Sequence, residues 1–315
     1  MTRERRARRG SATAIAVLLL ITPVAQAEGN GGDSDACETS AAYLASACRL
    51  DADEESRIGQ VVCVNLSNSR ERPACAAAAL EARREALGAC KAQRDARLEV
   101  CEAIGDGPYD PRIDPRNFVP GVDNPFAPFS PGSRWVYEKR TGDGVERIVI
   151  EVLEETREIL GVECTTVHDR VYQDGVLVED TLDWLAQDRS GNVWYFGEIS
   201  QSFEDGRLAS IDGSWVAGVA GAKPGFWVKR APRVGETYRQ EWAPGEAEDV
   251  VQVLSLAAKI KAPFTGRGPV LQTRDFTPLS PDALEYKFYV PGVGLVLELD
   301  PETGERLELV EYIPG

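Results

Sequence analysis

Three hydrophobic patterns follow one another along the chain, and each predicts a different kind of structure. An uninterrupted apolar run fills residues 14–21, whereas residues 34–104 are rich in alanine and charged side chains in a helical pattern. From residue 133 onward, apolar and polar positions alternate in short runs separated by turn residues. A proline-rich stretch, residues 105–132, separates the last two patterns. The order predicts an α+β protein with a helical part followed by a large β-domain.

The helical part contains six of the seven cysteines, and their spacing is symmetrical, with gaps of 11, 15, 12, 15 and 11 residues. Two antiparallel helices of equal rise bring together residues whose numbers have a constant sum. The outermost, middle and innermost cysteine pairs share one such sum, which places the bend near Ser69. We therefore predict an antiparallel helical hairpin held by the nested disulfides Cys37–Cys101, Cys48–Cys90 and Cys63–Cys75. A zinc site is disfavoured, because this segment has no C-x-x-C pair and no histidine.

The stretch between the two parts carries seven prolines from Pro108 to Pro131. Proline blocks helix interiors and inner strands, so an ordered or semi-rigid connector is expected over residues 105–132. Three aromatic side chains, Phe118, Phe126 and Phe129, are expected to pin it to a neighbouring surface.

The remaining residues, 133–315, read as successive strands joined by turns. The turn signals fall about every 10–20 residues between alternating runs, which favours an antiparallel meander. A sheet of that many strands tends to curl, so we expect a strongly curved sheet or half-open barrel. All six tryptophans lie in this part and are assigned to its core. The predicted turns are residues 141–144, 173–175, 189–191 and 300–304.

The first 27 residues predict a cleavable secretory signal. Five arginines within the first nine residues precede the apolar run, and Ala25-Gln26-Ala27 supplies the small-residue cleavage site. We expect a periplasmic or extracellular protein with no transmembrane anchor in its mature chain. Cleavage would leave 30 basic and 50 acidic residues, a net charge of −20. Such an acidic chain disfavours nucleic acids and anionic membrane surfaces as partners.

Several motifs of the β-part resemble those of a family of exported bacterial β-sheet proteins of unknown function. They are residues 131–137, 180–198, 234–238 and 289–296, and the resemblance covers residues 124–312. The family is similar to lipocalin-like or lipoprotein-carrier half-barrels. The resemblance implies a curved sheet with a concave face, and it implies no catalytic residues.

A cluster of acidic and aromatic residues on the central hairpin is the candidate ligand site. With Asp188 opposite Asn192, period-two alternation sorts its side chains onto two faces. One face carries Asp180, Trp184, Trp194 and Glu198, and the other carries Asp183, Gln187 and Tyr195. Carboxylates beside tryptophans are typical of sugar-binding or glycosidase clefts and also supply calcium ligands, although no EF-hand loop is present. The simplest interpretation remains solvated strand residues beside core tryptophans.

His168, the single histidine, is added to this candidate site. One histidine excludes multi-histidine metal centres, and no G-x-S-x-G motif marks a nucleophilic serine. The seventh cysteine, Cys164, lies on a predicted strand and is expected to be a buried free thiol. No metal or cofactor is expected.

The sequence therefore predicts a non-catalytic binding or carrier protein for an unknown ligand, which we expect to be small and apolar or amphipathic. Two alternatives stay open. One is a glycosidase-like hydrolase that uses paired carboxylates in a cleft of the β-domain. The other is a protein-interaction or structural role in the cell envelope, with the helical hairpin contacting a partner through an exposed apolar stripe.

Overall fold

The helical hairpin forms as the cysteine spacing predicts. In the computed structural model, which describes residues 35–315 except 143 and 267, helix α1 spans Ala36–Val64 and helix α2 spans Arg72–Ile104. The predicted signal, residues 1–27, lies outside the described residues. All three nested disulfides are confirmed, with Cα–Cα distances of 5.7, 5.7 and 5.5 Å from the outermost to the innermost. Their spacing along both helices holds the pair together over its whole length.

The β-part contains sixteen strands among the described residues. In chain order they are β1 (Phe118–Val119), β2 (Arg134–Thr141), β3 (Gly144–Ile159), β4 (Val162–Gln173), β5 (Val176–Asp188), β6 (Val193–Glu204), β7 (Arg207–Ser210), β8 (Trp215–Val216), β9 (Lys223–Val228), β10 (Thr237–Arg239), β11 (Glu241–Trp242), β12 (Val250–Ser255), β13 (Leu271–Thr277), β14 (Ser280–Val290), β15 (Gly294–Leu299) and β16 (Arg306–Ile313). Strands β2 to β6 follow the alternating runs and turns found in the sequence.

These strands build one antiparallel sheet that is nearly closed and barrel-like. The order runs β10-β12-β13-β14-β15-β16-β2-β3-β4-β5-β6-β9-β11. The two end strands, β10 and β11, are separated in the chain by Gln240 alone. One short segment therefore pairs with β12 on one side and with β9 on the other, which brings the edges of the curled sheet together.

The proline-rich connector is ordered and packs against the sheet. It forms a short 3-10 helix at Pro115–Asn117 and the strand β1, which pairs with the end of β5. Phe118 contacts the rings of Trp194 and Phe196, and Phe129 contacts Trp135 edge to face. The expected pinning by aromatic side chains is confirmed for these two residues.

The core is rich in aromatic side chains, and they lie on both faces of the curled sheet. Four of the six tryptophans are buried, namely Trp135, Trp184, Trp194 and Trp215. Trp227 and Trp242 are only half-buried, and each lines a cavity. Cys164 is a buried free thiol, as predicted, and burial raises its pKa to about 12.

The hairpin is anchored to the sheet through a buried ion pair. Arg97 of α2 donates from Nε and Nη2 to the two carboxylate oxygens of Glu248, at 2.7 and 2.9 Å. Both residues are at least 95% buried. Gln93 adds a hydrogen bond of 2.9 Å to the carbonyl oxygen of Leu279. A bidentate pair of this kind fixes orientation as well as distance, so α2 is held firmly against the sheet.

Candidate functional site

The residues predicted from sequence do not converge on one site, and a β-bulge is the reason. The predicted register is correct for Leu185 opposite Tyr195, but it shifts by one residue at Trp184, which lies opposite Gly197. Asp183 therefore lies opposite Glu198, and the two carboxylates share a face. The prediction that Glu198 lies beside Asp180 and Trp184, away from Asp183 and Tyr195, is wrong.

The bulge has a visible cause at Gly197. This residue adopts φ +140°, and a Cβ on it would lie 2.4 Å from the carbonyl oxygen of Trp215. Only glycine tolerates that close approach of β8 to β6. A glycine inside an alternating strand is thus the signal by which the register shift was detectable from the sequence.

The other predicted residues lie outside the cavity that contains Glu198. His168 Nε2 and Asp180 Oδ1 are 2.9 Å apart, and their side chains are 23% and 28% exposed. The guanidinium of Arg157 lies 3.9 Å from the ring of Trp184. Trp194 donates to Asp188 and packs against Phe226, with ring centroids 4.1 Å apart. Each of these side chains is therefore engaged by a neighbouring residue and does not face the acidic cavity.

Glu198 instead lines an acidic cavity of about 260 Å³ within the curled sheet. Its lining combines carboxylates with aromatic rings. The carboxylates are Asp169, Glu179, Asp183, Glu198, Glu241, Asp249 and Glu298, and the aromatic residues are Phe126, Phe129, Trp135, Tyr137, Tyr195, Trp227 and Tyr289. Among the residues that the structure describes, Lys287 contributes the one ammonium group of the lining. Carboxylates therefore outnumber cations seven to one around this space.

The centre of the acidic cavity is the cross-strand pair Asp183 and Glu198. The hydroxyl of Tyr195 donates to Asp183 Oδ1 at 2.5 Å. Burial, more than any other effect, raises the pKa of Asp183 to about 7. Burial and then the charge of Asp183 raise the pKa of Glu198 to about 8. At neutral pH the carboxyl groups of Asp183 and Glu198 are therefore at least partly protonated.

Two further acids line the same cavity without a full set of partners. Asp169 Oδ1 and Glu241 Oε2 are buried and accept no hydrogen bond among the described residues. Burial is the main reason that the pKa of each lies well above its ordinary value, and neighbouring carboxylates add to the effect. Unpaired buried carboxyl oxygens are costly, so they mark a place where a donor from outside the chain would be stabilised.

Lys287 compensates only one side of the cavity. Its Nζ lies 3.4 Å from Glu298 and 3.9 Å from Asp275. Burial lowers the pKa of Lys287, but the carboxylates of Glu298 and Asp275 outweigh burial and raise it well above its ordinary value. This ammonium stays charged, and no described residue forms an ion pair with Asp183, Glu198 or Glu241.

Sequence reasoning missed most of this cavity. Glu198 is the one predicted ligand residue within it, whereas the alternation of the sequence predicts Asp183 and Tyr195 on the opposite face. Asp169, Glu241 and Lys287 come from strands far apart in the chain, and only closure of the sheet brings them together. No local spacing carries that information.

Neither a metal site nor a membrane span is found in the part of the chain that the structure describes. Within residues 35–315, apart from 143 and 267, no group of three or more His, Cys, Asp or Glu side chains is arranged to hold a metal ion. No described helix has the length and apolar character needed to cross a membrane.

The hairpin exposes several apolar side chains of α1, including Tyr43, Leu50, Ile58 and Val61. The hypothesis of a protein partner for the hairpin stays a prediction.

Comparison with protein-family models, with curated proteins and with solved structures found no match to this chain. The resemblance to exported half-barrel proteins likewise stays a prediction.

Proposed function

We propose that this chain is a non-catalytic binding protein of an extracytoplasmic compartment whose acidic cavity takes a small organic cation. The observation that supports this most is the excess of carboxylates over ammonium groups around an open interior space. Three disulfides are typical of proteins that fold where thiols are oxidised, which agrees with the export signal expected from the sequence.

The charge of the lining changes the class of ligand from the one first expected. An apolar ligand would leave Asp169 Oδ1 and Glu241 Oε2 buried without a hydrogen-bond donor. An ammonium or guanidinium group would donate to these oxygens and pair with Asp183 and Glu198. Aromatic faces attract cations as well, and the half-buried Trp227 provides one in the same lining. The favoured ligand is therefore an amine with a short apolar body.

Binding of such a cation should release protons. Burial, more than any other effect, raises the pKa values of Asp183 to about 7 and of Glu198 to about 8. A bound cation favours the ionised carboxylates and lowers those pKa values. We expect the affinity to rise with pH between 6 and 8, by up to about tenfold per pH unit for one linked proton.

Isothermal titration calorimetry with putrescine, agmatine, spermidine and choline tests the proposal. At least one is expected to bind with release of about one proton, seen as a dependence of the enthalpy on the buffer's ionisation enthalpy. Butane-1,4-diol, the neutral counterpart of putrescine, is expected not to bind. Calcium chloride serves as a comparison for simple ionic attraction.

Variants of the central pair locate the binding. The Asp183→Asn, Glu198→Gln double variant is expected to abolish both binding and proton release, because it removes the carboxylates that face the cation. The matched control Glu155→Gln removes an exposed carboxylate of β3 and should leave both unchanged. Binding that survives the double variant, or that the diol reproduces, would contradict the proposal.

A hydrolase remains the second candidate, because Asp183 and Glu198 face each other with raised pKa values. Such a pair is able to divide into an acid and a base. Release of nitrophenol from aryl glycosides, lost in either single variant, would favour this candidate over the binding protein. Amine binding without any turnover would favour the binding protein.

A further inference from the structure

A second cavity lies between the hairpin and the sheet and has the opposite charge. This junction cavity has a volume of about 380 Å³ and is lined by α1, α2, the start of the connector and strands β9 to β11. Its charged residues are Arg97, Lys223, Arg239 and Glu248. Three cations to one carboxylate is unexpected in a chain of net charge −16.

The single carboxylate of this lining is already in use. Glu248 accepts from Arg97 Nε and Nη2 and, at 2.8 Å, from the backbone N–H of Gly245. Lys223 is paired with Asp110 at 2.9 Å and with the carbonyl oxygen of Tyr109 at 2.7 Å. The acceptors of Glu248, Asp110 and Tyr109 are thus used by Arg97, Gly245 and Lys223, and not by the second arginine, Arg239.

Arg239 is consequently a buried guanidinium that lacks a carboxylate of its own. The residue is only 6% exposed, and its Nε and Nη1 have no hydrogen-bond partner among the described residues. The Nη1 of Arg97, which lines the same cavity, is also unpaired. The ring of Tyr109, 5.7 Å from the Arg239 guanidinium, offers weak compensation. Leaving buried charged donors unsatisfied is costly, so the arrangement fits an anion that supplies the missing acceptors.

Most of the rest of the lining is apolar. Leu44 of α1 and Ile104 of α2 face Phe226 and Trp242 of the sheet across this space. The disulfide Cys37–Cys101 also lines the cavity and fixes the two helices beside it. The walls are therefore preformed, and cavities of this size and character are typical of small-molecule sites.

We propose that the junction cavity is a second binding site, for an amphipathic organic anion with a carboxylate head and an apolar body. The head group accepts hydrogen bonds from Arg239 and from Arg97 Nη1, since a guanidinium fork matches the geometry of a carboxylate. The apolar body packs against Leu44, Ile104 and Trp242. This site is independent of the acidic cavity and does not rest on its proposed cation.

Calorimetric titration of the oxidised full chain with octanoate tests this site. Saturable binding in the micromolar range is expected, whereas acetate and octan-1-ol, which carry the head or the tail alone, should bind at least about tenfold more weakly. Titration with octyl phosphate shows whether a second anionic head group on the same alkyl tail also binds. Octanoate that fails to saturate, or octanol that binds equally well, would overturn the proposal.

The Arg239→Gln variant separates binding from folding. It is expected to weaken octanoate at least tenfold while leaving the melting temperature of the ligand-free protein equal or higher, because the lost charge was buried without a partner. Arg84→Gln, which removes an exposed arginine of α2, is the matched control and should change neither value. Unaltered octanoate binding in Arg239→Gln, or a lower melting temperature, would assign the guanidinium a purely structural role and end the proposal.

Discussion

The acidic cavity and the junction cavity carry opposite charges although they share a wall only six residues long. Within the segment 237–242, Gln240 and Glu241 line the acidic cavity, whereas Arg239 and Trp242 line the junction cavity. This is the segment that joins the two edges of the sheet. The same segment therefore closes the sheet and separates the acidic cavity from the junction cavity.

Both cavities hold ionisable groups that burial drives toward their neutral forms. Burial raises the pKa of Glu241 well above its ordinary value, and burial lowers the pKa of Arg239. In each cavity a different pair is well compensated, Lys287 with Glu298 and Arg97 with Glu248. Paired charges therefore stabilise the walls of each cavity, whereas the unpaired charges indicate the sign of the ligand that each cavity is proposed to bind.

Breaking the compensated pair of the junction cavity should have the largest effect on stability. Glu248→Gln leaves Arg97 buried without its counter-ion, and loss of one partner of a buried pair costs about 3–5 kcal/mol. For a domain of this size we expect the melting temperature to fall by about 10 °C. Differential scanning calorimetry of the oxidised protein measures the change.

The matched control is Glu246→Gln, since Glu246 is exposed in the same turn. Its effect should stay within about 0.5 kcal/mol. Equal melting temperatures for the two variants would show that the Arg97–Glu248 pair does not hold the hairpin against the sheet.

The acidic cavity should give the protein an unusual dependence of stability on pH. Because the folded-state pKa values of Asp183, about 7, and Glu198, about 8, exceed the unfolded values near 4, the folded protein binds more protons between pH 4 and 8. Their contribution is complete below pH 4 and is lost as the pH rises through 7 to 8. We expect the free energy of unfolding to fall by at least about 2 kcal/mol across this window.

Urea unfolding at pH 5, 6, 7 and 8 measures this slope. The Asp183→Asn, Glu198→Gln variant should lose part of this slope, because burial also raises the pKa values of Asp169, Glu241 and Asp275, which keep the remainder. Glu155→Gln should keep all of it. Identical slopes in the wild type and the double variant would mean that these two carboxyl groups titrate normally in the folded state.

Local sequence patterns were sufficient to predict the hairpin and the early strands. The cysteine spacing determined three disulfides, because facing positions on two antiparallel helices follow from helical rise alone. The turn at residues 173–175 likewise predicts that β4 pairs with β5, and the structure has this pairing. Closure of the sheet was not predictable, since it depends on β10 and β11, which have only three and two residues.

The candidate site was predicted poorly for a related reason. One glycine, Gly197, shifts the register and moves Glu198 from the face of Trp184 to that of Asp183. Because the side-chain period of a strand is two, a shift of one residue reverses which side chains share a face. No local pattern predicts the junction cavity, because Arg97 and Arg239 are 142 positions apart in the chain.

The smallest effect is expected at His168, which the sequence predicts to lie in the ligand site. Its ion pair with Asp180 lies on the face of the sheet turned away from Asp183, and both side chains are about a quarter exposed. Partly exposed pairs contribute about 0–1 kcal/mol, so His168→Ala should shift the melting temperature by no more than about 3 °C. Calorimetric affinities for amines and for octanoate should both stay within about twofold of the wild type, because His168 lines neither cavity. A tenfold loss of amine affinity would instead restore the outer face as the binding surface and remove the acidic cavity from that role.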